Sequence, residues 1–216
     1  AAIGTLASGG AHELNNPLNN ISIAAQILAR ALPAGAAAPI VRETLGDILS
    51  QTQRVKLIVG DLLEFAREKP PELRPVELVA IIREAAARAI PPGSAVSFRI
   101  EGPAAAAVMA DAHLATQIFV NLIANAVDAT DGRGSVIVRV EPHERSVTAA
   151  VSDTGRGIPA DELPKIFDPF YTTKEKGTGL GLAIVYNAAR KHGGSVEVRS
   201  EPERGTTFTV TFPGAP

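Results

Sequence analysis

Apolar positions in the first thirty residues recur at heptad spacing. With d positions at Ala7, Leu14, Ile21 and Leu28, the a positions fall on Gly4, Ala11, Leu18 and Ala25. The stripe spans residues 3–31 and predicts an amphipathic helix that needs partners. Pro33, Gly35 and Pro39 interrupt an alanine-rich connector, and a second stripe runs through Val41, Leu45, Ile48, Thr52, Val55, Val59, Leu62 and Ala66. Two helices and a short loop predict an antiparallel hairpin. A hairpin cannot hide both stripes together with Ile27, Leu57, Ile58, Leu63 and Phe65. Two copies are therefore expected to pair as a four-helix bundle, a homodimer through residues 1–69. Lys69, Pro70 and Pro71 end the second helix, because proline lacks a backbone donor and pushes its predecessor out of the helical region. They set the expected boundary between domains 1–69 and 70–216.

Beyond that boundary the period alternates between helix and strand. Leu78–Ile90 reads as a helix stopped by Pro91, Pro92 and Gly93, and Val96–Ile100 as a strand. A short AVMAD segment precedes a long helix over Ala112–Thr130. Val136–Val140 and Val147–Val151 read as strands, and Leu180–His192 as a helix closed by Gly193 and Gly194. SVEVRS followed by GTTFTVTF predicts a hairpin with alternating faces. The expected class is α+β, the helical hairpin followed by an α/β sandwich.

Composition narrows the chemistry. The 216 residues are 45% hydrophobic, enough for a sizeable core in one large or two small domains. A net charge of -2 and a pI near 6.1 argue against nucleic acid and anionic membrane as partners. The absence of cysteine removes disulfides, thiolate metal sites and thiol nucleophiles. No apolar run reaches the roughly 18 to 20 residues that span a bilayer, so no membrane contact is expected of this stretch. The opening AAIGTLASGGAHEL already reads as mid-helix, which sets the expectation of a longer chain upstream.

Four motifs carry candidate chemistry. In AHELNNPL, His12 and Asn16 are four apart on one helix face, and Glu13 adjoins His12. A neutral imidazole attacks phosphorus if a base removes the other ring proton, and an adjacent carboxylate supplies one. The same dipeptide also reads as a solvated surface pair. A zinc-protease pattern needs histidine where Asn16 stands. Pro17 should loosen the helix just after the histidine. On the long helix, Asn121, Asn125 and Asp128 share one side; asparagine can hold magnesium or a phosphate oxygen without adding charge, although an ordinary amphipathic surface looks the same. In VSDTGRGIP, Asp153 ends an apolar strand and can accept from an amino group, with Gly155 and Gly157 behind it; a plain turn is the alternative. KGTGLGL, residues 176–182, offers backbone N–H groups to phosphate, but is neither a P-loop nor a dinucleotide fingerprint. Residues 159–180, with Phe167, Phe170, Tyr171, Lys174 and Lys176, form a connection long enough to predict a mobile lid whose lysines balance phosphate charge.

In order and spacing, AHELNNPL, QIFVNLIANAVDAT, VSDTGRGIP, IFDPFYTTK and GTGLGL resemble the transmitter region of the two-component sensor histidine kinases. The resemblance covers essentially the whole chain. It implies a dimerisation and histidine-phosphotransfer domain, then an ATP-binding domain of the Bergerat type shared with gyrase and mismatch-repair ATPases (GHKL). It further implies that His12 accepts the γ-phosphoryl, Glu13 is its acid/base partner, and Asn16 positions water to dephosphorylate a response regulator. Asn121 would bind Mg2+, Asn125 the ATP phosphates and Asp153 the adenine amino group. Gly155, Gly157, Gly177, Gly179 and Gly181 would shape pocket and lid, and Phe167 and Phe170 would brace the lid. Ile158, Phe170, Lys174, Lys176, Thr178, Leu180 and Thr207 complete the implied nucleotide contacts. Many relatives carry lysine or tyrosine soon after the second asparagine. Here Asp128 and Ala129 stand there, which resembles the nitrogen-regulation-like branch and gives Asp128 a ligand-side role.

The resulting expectation is an ATP-dependent protein-histidine kinase that phosphorylates His12 and passes the group to an aspartate of a response regulator receiver domain, with phosphatase activity toward that regulator. The expected location is cytoplasmic, any membrane anchor belonging to an upstream sensor. A clamp-type ATPase and a nucleotide-sensing scaffold are the competing classes; release of phosphate without a phosphoprotein separates the first, and absence of transfer the second.

Overall fold

The fold is given by a computed structural model that describes residues 18–28, 30, 39–66, 70–174 and 177–215. His12, Glu13, Asn16, Pro17 and Lys176 lie outside the described residues. The chain divides into two compact units, Ala1–Glu68 with Thr172–Leu180, and Lys69–Tyr171 with Gly181–Pro216.

Two helices carry the described residues between 18 and 66 of the first unit. Helix α1 covers residues 18–28, and α2 covers Pro39–Ala66, the range of the second stripe. The heptad positions split into two sets. Ala25, Leu45, Thr52 and Val59 are buried, whereas Ile21, Leu28, Val41, Ile48 and Val55 remain exposed in the single chain. Within one helix, members of the same set lie seven residues apart, which is what a helix face aligned with a seam produces.

The second unit is a mixed sheet covered by helices. Its elements are β1 (Arg74–Glu77), α3 (Leu78–Ala89), β2 (Ala95–Glu101), β3 (Ala107–Ala110), α4 (Ala112–Ala129), β4 (Arg133–Pro142), β5 (Ser146–Asp153), α5 (Gly181–Lys191), β6 (Ser195–Glu201) and β7 (Gly205–Pro213). The five-stranded sheet has the order β2-β4-β5-β7-β6, with β2 and β4 parallel and the other pairs antiparallel. The excursion through β3 and α4 is the crossover that a parallel pair requires. Strand β1 has no counterpart in the sequence pattern: RPVE is short and holds a proline, yet it pairs with β3 in a separate two-stranded sheet.

Local chemistry explains where the helices start and stop. Asp111 caps α4 by accepting from His113 N and Leu114 N at 3.0 and 3.2 Å. Helix α5 ends in a Schellman motif, Gly194 N–H donating to Ala189 O and Gly193 N–H to Arg190 O. Buried His192 ties that end to α4: its Nδ1 lies 2.7 Å from Ala188 O, and Asp111 N–H donates to its Nε2 at 3.0 Å. Leu114, Ile118, Phe119, Leu122 and Ile123 of α4 fill the core with Val138, Val151, Val210 and Phe212 from the sheet. Phe119 stacks on Phe212 with ring centroids 6.1 Å apart. Burying α4 on this side leaves Asn121, Asn125 and Asp128 along its less buried side.

Candidate functional site

Asp153 closes β5 on the buried face of the sheet, in line with Val147, Ala149 and Val151. Its Oδ1 accepts from Gly155 N at 2.8 Å and Thr206 N at 3.3 Å, while no donor among the described residues meets Oδ2. Burial raises the carboxyl above the ordinary aspartate value, against the opposing pull of those two backbone donors. A nearly buried carboxylate with one unused oxygen is suited to accept from an exocyclic amino group.

The loop after Asp153 is held against α4. Arg156 N–H donates to Ala129 O at 3.1 Å, which brings VSDTGRGIP to the last turn of the polar stripe. Gly155 is required by this approach, since a Cβ there would stand 2.4 Å from Ala129 O. Gly157 has φ of 71°, and a Cβ would stand 2.1 Å from Glu201 O. Both glycines admit the protein's own backbone, and in that way set the shape of the loop. Two turns earlier on α4, Asn121 Nδ2 donates to Gly181 O at 3.2 Å, joining the stripe to the start of α5. Its Oδ1 accepts from no donor among the described residues. Asn121, Asn125, Asp128, Asp153, Gly155, Gly157, Ile158 and Gly181 are thus carried by elements that meet around α4. Asp128 is exposed, and Asn121 and Asn125 are half-buried.

Two expectations are corrected by the geometry. Thr207 is on the other face of the sheet from Asp153, where its hydroxyl lies 2.8 Å from Ser152 Oγ. Its neighbour Thr206 is the residue on the Asp153 face, buried and donating its N–H to that carboxylate. The alternation in GTTFTVTF carried this signal: Phe208, Val210 and Phe212 point inward, so Thr206 must as well. Phe170 has φ of 69°, is 62% exposed and makes no ring contact among the described residues. Phe167 packs its ring on the second unit, with centroids 5.6 Å from Tyr186 and 6.4 Å from Phe208.

Within the long connection, residues 159–171 are tied by their own backbone hydrogen bonds. Glu162 N–H donates to Pro159 O, Lys165 to Glu162 O, Asp168 to Lys165 O and Tyr171 to Asp168 O, so residues 159–171 wind through successive tight turns with Ile166 buried. In residues 172–180, Lys174 N–H and Leu180 N–H donate to the hydroxyls of Thr172 and Thr178, and Gly177 N–H to Lys174 O. Gly179 has φ of 70°. The contacts to Thr172 and Thr178 are hydroxyl-capped turns. Among the described residues there is no cluster of three or more His, Cys, Asp or Glu able to hold a metal, and no helix is long and apolar enough to cross a membrane.

Residues 110–216 match the family model described as histidine kinase-, DNA gyrase B-, and HSP90-like ATPase, and residues 2–71 match that of the His Kinase A (phospho-acceptor) domain. The chain belongs to the sensor histidine kinases, as their transmitter region. The histidine kinase ZraS of Escherichia coli K12 is 34% identical over 215 residues, covering 98% of this transmitter and 46% of ZraS. The sensory histidine kinase/phosphatase NtrB of Rhodobacter capsulatus is 33% identical over 221 residues, 95% of this chain and 61% of NtrB. Full-length ShkA, solved in complex with AMPPNP, superposes with a TM-score of 0.76 at 28% identity over 98% of the transmitter and 46% of ShkA. The transmitter spans about half the length of the first curated relatives it matches, 46% in the case of ZraS.

Proposed function

We propose that the chain is an ATP-dependent protein-histidine kinase that phosphorylates its own His12 and passes the group to an aspartate of a response regulator. The observation that carries the nucleotide half is Asp153, a buried carboxylate with one oxygen that no donor among the described residues meets, beside the polar stripe of α4. ShkA binds an ATP analogue on a like fold, which supports the same ligand class here. Asp153 accepts from the adenine amino group, and Asn125 faces the phosphates. Magnesium, when bound, neutralises phosphate charge; Asn121, with Nδ2 committed to Gly181 O, offers Oδ1 to it. Gly155, Gly157 and Ile158 shape the base pocket, while Lys174, Lys176, Gly177, Thr178, Gly179, Leu180 and Gly181 supply the phosphate-side segment. Domains 1–69 and 70–216 carry acceptor and nucleotide respectively.

Transfer is in-line. An imidazole nitrogen of His12 forms the P–N bond, the β,γ-bridging P–O bond breaks, ADP leaves, and Glu13 takes the ring proton. The roles of His12, Glu13 and Asn16 rest on AHELNNPL, the sequence matched by the phospho-acceptor model. The exposed heptad set Ile21, Leu28, Val41, Ile48 and Val55 supports a homodimer, since a second copy would cover it. NtrB is named a kinase/phosphatase, which supports phosphatase activity with Asn16 orienting water.

Incubation with γ-labelled ATP tests the reading. Acid-labile, base-stable label that disappears in His12→Gln is the expected result. An unlabelled chain that still binds ATP would sink it, and release of free phosphate without any phosphoprotein would favour a clamp-type ATPase.

A further inference from the structure

The end of the sheet brings polar side chains from three strands onto one rung. Ser200 of β6 stands opposite Thr206 of β7. Thr206 is one position beyond the Ser152–Thr207 pair and donates its N–H to Asp153 Oδ1 at 3.3 Å. Ser200 closes the row. Its hydroxyl donates to Gly205 O at 3.0 Å, which uses its one proton, so the Thr206 hydroxyl 2.8 Å away is the donor in that contact. Ser200 Oγ also accepts from Ile158 N at 2.8 Å. One donor and both lone pairs are then in use.

This hydroxyl therefore ties down both sides of the Asp153 loop. The loop leaves the sheet at Asp153, turns through Gly155 and returns to Ser200 at Ile158. Glu203 N–H adds a second tie, to Arg156 O at 2.8 Å. On the other side, the Thr206 hydroxyl that meets Ser200 belongs to the residue whose backbone N–H orients the carboxylate.

We propose that Ser200 is a positioning residue for purine recognition. It acts through Ile158 and Thr206 on Asp153 and sets how strongly the site prefers a 6-amino purine to a 6-oxo purine. This rests on the reading of Asp153 as the acceptor of the adenine amino group. Hydrogen bonds weaken steeply with misalignment, so the value of Oδ2 to that amino group depends on how firmly the carboxylate is aimed. Without Ser200 Oγ, Ile158 N–H and the buried Thr206 hydroxyl lose their shared acceptor, and the loop and strand that aim the carboxylate are no longer tied to each other. A 6-oxo purine presents an acceptor at the same place and gains nothing from an aimed carboxylate.

The test uses the 216-residue chain and calorimetric affinities for ADP and inosine diphosphate, which lacks the amino group. In Ser200→Ala the preference for ADP should fall by about two- to tenfold, the worth of one net hydrogen bond, and Ser200→Thr should restore it. Equal weakening of both nucleotides with the preference intact would overturn the proposal, because a merely structural role predicts that result. A measurement on the unaltered chain keeps the proposal testable if Ser200→Ala fails to fold. ADP should slow amide exchange at Ile158 and inosine diphosphate should not; equal slowing by both would overturn the proposal. A parent chain that binds neither nucleotide refutes the nucleotide site itself, and the parent titration alone separates that failure from this one.

Discussion

Replacing Asp153 by asparagine exchanges one oxygen for an amide nitrogen at nearly constant volume. Oδ1 can keep both of its present donors, Gly155 N and Thr206 N, so the loop need not move. The change falls on Oδ2, which becomes a donor facing the donor of adenine. A hydrogen bond to a charged acceptor contributes about 1.5 to 3 kcal/mol, so ADP affinity should fall about 10- to 150-fold. Stability should move the other way. Burial raises the Asp153 pKa, so between the unfolded value of about 3.9 and the raised folded value the native state holds more protons than the unfolded chain. Stability therefore falls as pH rises through that window, and at neutral pH the buried charge opposes folding. The asparagine variant escapes this penalty, and its melting temperature at pH 7 should equal or exceed that of the parent, with any advantage lost at the acid end. In the parent, ADP affinity should decline as pH drops through the raised pKa and the acceptor is protonated. Titration calorimetry and thermal unfolding measure both effects. A variant that loses several degrees of melting temperature would refute the reasoning, because Asp153 would then be part of the scaffold; so would unchanged ADP affinity.

Two further outcomes follow from backbone geometry and capping. Gly157→Ala places a Cβ 2.1 Å from Glu201 O at φ of 71°, and should cost about 1 to 3 kcal/mol in urea unfolding; a neutral result would mean that the loop has room to shift. Asp111→Ala removes the α4 cap and the acceptor of Glu72 N–H, 3.0 Å from Oδ2, and should cost about 1 to 2 kcal/mol at pH 7. Burial opposes ionisation of Asp111, but backbone donors Glu72, Leu114 and His113 bring its pKa below the ordinary value. That stability is present above the unfolded value of about 3.9 and lost as pH falls through the lower folded one, so parent and variant should converge in acid; a gap that persists there would contradict the capping role.

Local periodicity determined most of the element list by itself. Period-two alternation placed β5 and the β6–β7 hairpin, and the apolar spacing within Ala112–Ala129 put Asn121, Asn125 and Asp128 on one side of α4. Those features depend on neighbours within a few residues, which is the range a pattern reports. Pairing did not, because it is decided by contacts between distant segments. Nothing local in Arg74–Glu77 announces a strand; Ala107–Ala110 supplies its partner from thirty-odd residues away. The parallel β2–β4 pair likewise exists only because α4 crosses over. The candidate site divides the same way. Asp153 was readable as a strand-terminal carboxylate, but its undonated oxygen, the choice of Thr206 over Thr207, and the tie from Ser200 to Ile158 come from three strands lying side by side. The chain specifies which groups are available, and the close approach of backbones at Gly155 and Gly157 decides which of them meet.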